Sequence, residues 1–96
     1  MTDFEDAVLE VIGTIRRGEV MTYGEVAAEA GFPGAARAVG NLLRVTGTDV
    51  PWWRVVGAGG HLRSPDPGKQ ARRLAEDGVL VDEGRVIQRR PSSPRS

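Results

Sequence analysis

Two short helices punctuated back to back limit what this 96-residue chain can become. Thr22 and Glu25 have the spacing of a capping box, in which a hydroxyl takes an early helical N–H and a carboxylate reaches back to the cap's own N–H. Val26, Ala27 and Ala30 then give the following segment one buried face, and Gly31 is a natural C-terminal stop. Pro33 suits the first turn of a second helix, which carries Ala35, Ala36, Arg37, Ala38, Val39, Leu42 and Leu43. Two helices joined by Gly31-Phe32-Pro33 predict a helix-turn-helix with the second as recognition helix.

The rest of the chain fits around that unit. Thr2 with Glu5 has capping-box spacing, and Phe4, Val8, Val11, Ile12 and Ile15 recur at helical period, predicting a first helix from about Asp3 to Arg17, stopped by Gly18. Val20-Met21 reads as a short extended connector. Thr46-Gly47-Thr48-Asp49 reads as a loop, and Val50 to Val56 as an apolar stretch interrupted by Arg54. Gly57-Ala58-Gly59-Gly60 is expected to be flexible, and Ser64-Pro65-Asp66-Pro67-Gly68 to be a tight loop. A further helix is predicted from Lys69 to Asp77, with Ala71, Leu74 and Ala75 inward and Gly78 ending it. Val79-Leu80-Val81 and Arg85-Val86-Ile87 flank Asp82-Glu83-Gly84, the pattern of a small C-terminal β-hairpin. Residues 1–89 are expected to form one mainly α domain, and the Pro/Ser/Arg-rich residues 90–96 a disordered tail.

Composition excludes several chemistries. With no cysteine there is no disulfide, thiolate nucleophile or zinc–thiolate site, and the single histidine, His61, cannot hold a metal alone. Neither cofactor nor metal is expected. No apolar run reaches the roughly 20 residues that span a bilayer, and the acidic N-terminus is unlike a signal peptide. The formal net charge is zero, but it is divided unevenly: residues 1–34 hold seven acids and two arginines (−5), and residues 35–96 hold eleven bases and six acids (+5). The second half is basic enough to approach phosphate. Ala35, Ala36 and Gly40 are small for a helix face, which suits close helix packing and close approach to a minor groove equally well.

Three runs occur in order: Thr22-Tyr23-Gly24, then Ala35-Ala36-Arg37-Ala38-Val39-Gly40, then Pro51-Trp52-Trp53-Arg54-Val55-Val56. Together they resemble the DNA-binding half of the O6-alkylguanine-DNA alkyltransferases, and more closely their non-catalytic, alkyltransferase-like relatives. The resemblance runs from about Phe4 to Val81 and implies a winged-helix-like helix-turn-helix domain of the alkyltransferase C-terminal type. Where the enzymes carry Pro-Cys-His-Arg, this chain carries Pro51-Trp52-Trp53-Arg54, so nucleophile and base are both tryptophan. Indole carbon offers no lone pair, and its N–H only donates.

The resemblance implies duplex DNA containing O6-alkylguanine as the partner, bound through the minor groove with the base flipped into a pocket. Arg37 matches the arginine finger, a planar guanidinium that fills the vacated stack. Tyr23 falls at the pocket mouth, Trp52 in its wall, and Val55 where a backbone carbonyl meets the guanine amino group. Arg54 is expected to brace the pocket backbone. Trp53 is left without an assigned role beyond packing beneath. Arg44 is a candidate phosphate contact, as are Arg63, Lys69 and Arg72. The late glutamate of the enzymes falls near Glu76-Asp77-Gly78, where simple helix-end charge is the expected role. The replaced lid loop suits a roomier pocket. No enzymatic activity is expected. The bound lesion would be flagged to nucleotide excision repair proteins, in a bacterial cytoplasm, by a monomer. Two rivals differ in class. A major-groove transcription regulator needs base-reading polar side chains where Ala35, Ala36 and Gly40 stand. A glycosylase needs a carboxylate or amine at the pocket, for which Asp49 and Lys69 are the candidates.

Overall fold

Apolar residues at helical spacing near the N-terminus form α1 (Asp3–Gly13) in the computed structural model, which describes residues 3–46 and 49–88. Val8 and Ile12, one turn apart, are fully buried. The helix stops at Gly13 rather than Arg17. Glycine is a poor helix residue, and the Thr14 hydroxyl donates to the Val11 carbonyl at 2.6 Å, a local bond that competes with another helical turn. Ile15 still reaches the core from non-helical backbone. Thr2, its expected cap, lies outside the described residues, as do Gly47, Thr48 and the 90–96 tail.

The helix-turn-helix forms as its caps require. Thr22 closes the two-residue strand β1 (Met21–Thr22) and caps α2 (Tyr23–Glu29). Its Oγ1 accepts from the Glu25 N–H at 3.0 Å, and the Glu25 carboxylate accepts from the Thr22 N–H at 2.8 Å. Val26 and Ala27 are fully buried. Pro33 is not in the next helix. It sits with Gly34 at the centre of a turn closed by the Ala35 N–H donating to the Phe32 carbonyl at 3.1 Å. Gly34 has φ +90°, the left-handed geometry of a type II turn, so helical backbone cannot begin before it. The recognition helix α3 therefore runs Ala36–Thr46.

After α3, Trp52–Arg54 make a single 3-10 turn that leads into β2 (Val55–Val56). Strand β2 pairs in parallel with β1, Met21 against Val55 and Thr22 against Val56. This short ladder holds the tryptophan turn beside the start of α2. The glycine run expected to be flexible instead makes a defined turn over Ala58–Gly60 with Gly59 at φ +75°, closed by Gly60 N–H to Gly57 carbonyl at 2.9 Å and Gly57 N–H to His61 carbonyl at 2.7 Å. Gly60 has φ +89°, and a Cβ there would stand 2.9 Å from the Val86 carbonyl oxygen. Gly60→Ala is expected to destabilise the fold by about 2 kcal/mol, combining left-handed strain with a backbone clash, and to lower the urea midpoint accordingly.

Asp66 caps α4 (Pro67–Glu76), accepting from the Lys69 N–H at 3.1 Å, so this helix starts earlier than Lys69. Its inward face is Gln70 and Leu74, both fully buried, whereas Ala75 is exposed. Gln70 is inside because its Nε2 donates to the carbonyls of Trp53 (3.1 Å) and Val55 (2.9 Å), which fastens α4 to the tryptophan turn. The C-terminal hairpin is present: β3 (Leu80–Asp82) pairs antiparallel with β4 (Arg85–Gln88), with a bulge between Leu80 and Val81. The core has two parts. One gathers Val8, Ile12, Ile15, Val26, Ala27, Val39 and Val55 under the helix-turn-helix, and the other gathers Val20, Val56, Leu74 and Val79 under α4 and the hairpin.

Candidate nucleic-acid interface

Along α3 lies an open cavity of about 1070 Å³. Of the residues singled out from sequence, it brings together Tyr23, Ala36, Arg37, Gly40, Arg44 and Trp52. Its far side is formed by Gly57, Ala58, Arg63, Ser64, Pro65, Asp66 and Lys69, so the loop before α4 is part of the site. With Leu43, which the sequence places on this helix, Asn41 and Val45 complete the α3 edge. Neither Asn41 nor Val45 is marked out by the sequence, although Val45 is 86% exposed and is the most exposed large apolar side chain described.

Side-chain chemistry in the cavity is that of a reader. Tyr23 starts α2, and its ring lies 3.9 Å from where a Cβ on Gly40 would stand. Burial pushes its phenol above the ordinary value, and the charges of Arg63 and Arg44 only partly oppose that. The hydroxyl therefore stays protonated at neutral pH and can donate. Arg44 is steered by its neighbour Asn41, whose Oδ1 accepts from Nη2 at 2.8 Å. Arg37 is exposed and makes no hydrogen bond or ion pair among the described residues. Its five donors and its flat face are unengaged.

Five of the expected residues do not line the cavity: Ala35, Trp53, Arg54, Val55 and, on α4, the candidate phosphate contact Arg72. Ala35 packs against the helix-turn-helix core. Val55 is fully buried, and its carbonyl already accepts from Gln70, so a guanine amino group there must share or displace that bond. Trp53 and Arg54 turn toward the end of α4. Asp77 is more than the helix-end charge expected. Its carboxylate accepts from the Trp53 indole N–H at 3.0 Å and from Arg54 Nε and Nη2 at 2.8 and 3.1 Å. Arg54 Nη1 also donates to the Ile15 carbonyl at 3.0 Å, which ties the tryptophan turn to the segment that follows α1. Burial pushes the Asp77 carboxyl up, but the hydrogen bonds from Arg54 and Trp53, with the charges of Arg54 and Arg17, outweigh it and hold the group below its ordinary value. This hub joins residues 23 and 24 positions apart, and no local motif announces it.

A capped helix-turn-helix with an arginine-edged cavity beside its second helix defines a DNA-binding type of domain. The chain belongs to the family described as the 6-O-methylguanine DNA methyltransferase DNA-binding domain, whose model matches residues 3–79. It is 38% identical to the DNA base-flipping protein of Vibrio parahaemolyticus, over 94% of this chain and 95% of that protein. It is 42% identical to the DNA base-flipping protein of Escherichia coli over 81% of this chain, but spans only 64% of that protein. Among solved structures it is similar to Schizosaccharomyces pombe Atl1 in complex with damaged DNA containing O6-carboxymethylguanine. The TM-score there is 0.74 at 36% identity, over 83% of this chain and 80% of that one.

Proposed function

We propose that this domain recognises O6-alkylated guanine in duplex DNA and flips it into the α3 cavity without transferring the alkyl group. The observation that carries the reading is Trp52 in the cavity wall, facing the same space as Tyr23 and Arg37, in a chain with no cysteine. Arg37 is the finger that takes the place of the flipped base, and Arg44 meets phosphate. Family resemblance supports two further steps: the bound lesion is shielded from alkyltransferase, and the deformed DNA is the signal that nucleotide excision repair proteins read. The relatives named as base-flipping proteins, and the one solved on damaged DNA, support the same reading.

Equilibrium binding to two matched duplexes, one with a single O6-methylguanine and one with guanine, tests it at fixed salt near physiological. A preference for the lesion duplex, with the lesion intact afterwards, is the expected result. Equal and steeply salt-dependent binding to both would leave a generic DNA-binding module. An abasic product would instead mark a glycosylase, for which Lys69 is an amine in the cavity lining.

Gly40 separates a packing role from a groove role. Inside the protein, an added methyl meets nothing nearer than the Tyr23 ring at 3.9 Å, an ordinary contact. Gly40→Ala should therefore stabilise α3 by about 0.5–1 kcal/mol, seen as a higher melting temperature. The same methyl projects where DNA must approach, so affinity for both duplexes is expected to fall while stability rises.

A further inference from the structure

Trp53 has no place in the cavity lining, yet its ring is held by a hydrogen bond and flanked by two guanidinium groups. Its indole N–H is held by Asp77 Oδ2 at 3.0 Å. The Arg73 guanidinium lies 4.1 Å from the ring centroid, and that of Arg54 lies 5.2 Å away. Its main-chain carbonyl accepts from buried Gln70 at 3.1 Å. Trp52 next to it is held differently. Its indole donates to no described residue, and its one ring contact among the described residues is edge-to-face on Trp53, with centroids 6.0 Å apart and planes at 89°. The orientation of the cavity wall thus rests on a ring that is itself fastened to a carboxylate.

We propose that Asp77 and Trp53 are positioning residues: the Asp77 carboxylate, gripped by Arg54, anchors the Trp53 indole, and the anchored ring sets the orientation of Trp52 in the cavity. The proposal rests on the lesion-binding reading only for its consequence in affinity, since the orientation of Trp52 belongs to the free protein. A hydrogen bond to a charged acceptor is among the stronger side-chain bonds, and an aromatic edge held by one has little rotational freedom. Without the anchor, Trp53 can tilt, and Trp52 samples orientations that do not meet the flipped base. Preorganised wall becomes adaptable wall, and the difference appears as lost affinity.

The chain holds two tryptophans, so replacing Trp53 leaves Trp52 as the sole indole emitter. Trp53→Phe keeps an aromatic ring but removes the donor, whereas Trp53→His keeps a ring N–H for Asp77. Time-resolved anisotropy of Trp52 in the two full-length free proteins, with thermal melts to confirm folding, is the direct test. Faster local motion of Trp52 in Trp53→Phe than in Trp53→His is expected, together with a roughly tenfold loss of preference for the O6-methylguanine duplex in Trp53→Phe alone. Identical Trp52 motion and identical preference in the two variants would overturn the proposal. If the unaltered chain itself shows no lesion preference, the functional reading fails, and the anisotropy comparison still decides the positioning role. If either variant does not melt cooperatively, Asp77→Asn carries the comparison against the unaltered chain. It leaves both rings in place while neutralising the acceptor, so lesion preference is expected to fall, and an unchanged preference counts against the proposal.

Discussion

Arg37→Ala is expected to weaken binding to the O6-methylguanine duplex by about thirtyfold, close to 2 kcal/mol, while changing the plain duplex by no more than roughly threefold. Extruding a base leaves a hole in the stack, and stacking of one aromatic or guanidinium plane against a base is worth about 1–3 kcal/mol. Arg37 is placed for that task on an exposed face of α3 at the edge of the cavity, with no intramolecular partner among the described residues to surrender. The same lack of partners means the melting temperature should not move. Arg37→Lys keeps the charge and loses the plane, so it should resemble alanine on the lesion duplex and the unaltered chain on the plain one. Arg44→Ala is the contrasting variant. A phosphate contact has no interest in the lesion, so affinity should drop equally on both duplexes and the salt slope should shrink by about one.

What was legible in the sequence was local chemistry. The Thr22–Glu25 box, the hairpin turn at Glu83-Gly84 (one residue tighter than expected, since Asp82 pairs with Arg85) and the Gly31 stop depend on neighbours a few residues apart, and each forms. Pro33 precedes the helix and does not start it, because Pro33-Gly34 also spells a type II turn and the left-handed glycine decides between the two. The cavity edge on α3 was visible through Arg37, Gly40 and Arg44, since helical period puts them on one side. What was not visible depends on distant partners. Gly60 is ordered because Val86 packs against it, Gln70 is buried because two carbonyls await it, and Asp77 matters because Trp53 and Arg54 arrive from another element. A glycine-rich run, a glutamine and a helix-end acid carry no mark of such partners in the linear chain.

The Asp77 hub also predicts the largest loss of stability. Asp77→Ala removes a carboxylate that is 7% exposed and leaves Arg54, 15% exposed, with the Ile15 carbonyl as its one remaining hydrogen-bond acceptor among the described residues. Stranding one member of a largely buried ion pair costs about 3 kcal/mol, which in a domain of this size lowers the melting temperature by roughly 15 °C. The Trp53 indole N–H loses its acceptor as well. Arg17 contributes little of this: it is 73% exposed and 3.7 Å from the carboxylate, so Arg17→Ala should stay within about 0.5 kcal/mol. Acid supplies an independent check. Because the folded state holds Asp77 below its ordinary value, its contribution is complete above the unfolded carboxylate pKa of about 4 and disappears as pH falls through the lower folded value. Denaturant melts should therefore find a constant gap between Asp77→Ala and the unaltered chain from neutral pH down to about pH 5, and a narrowing gap below pH 4. A gap that widened in acid would mean that Asp77 is protonated in the fold, and that Arg54 is held by something other than its charge.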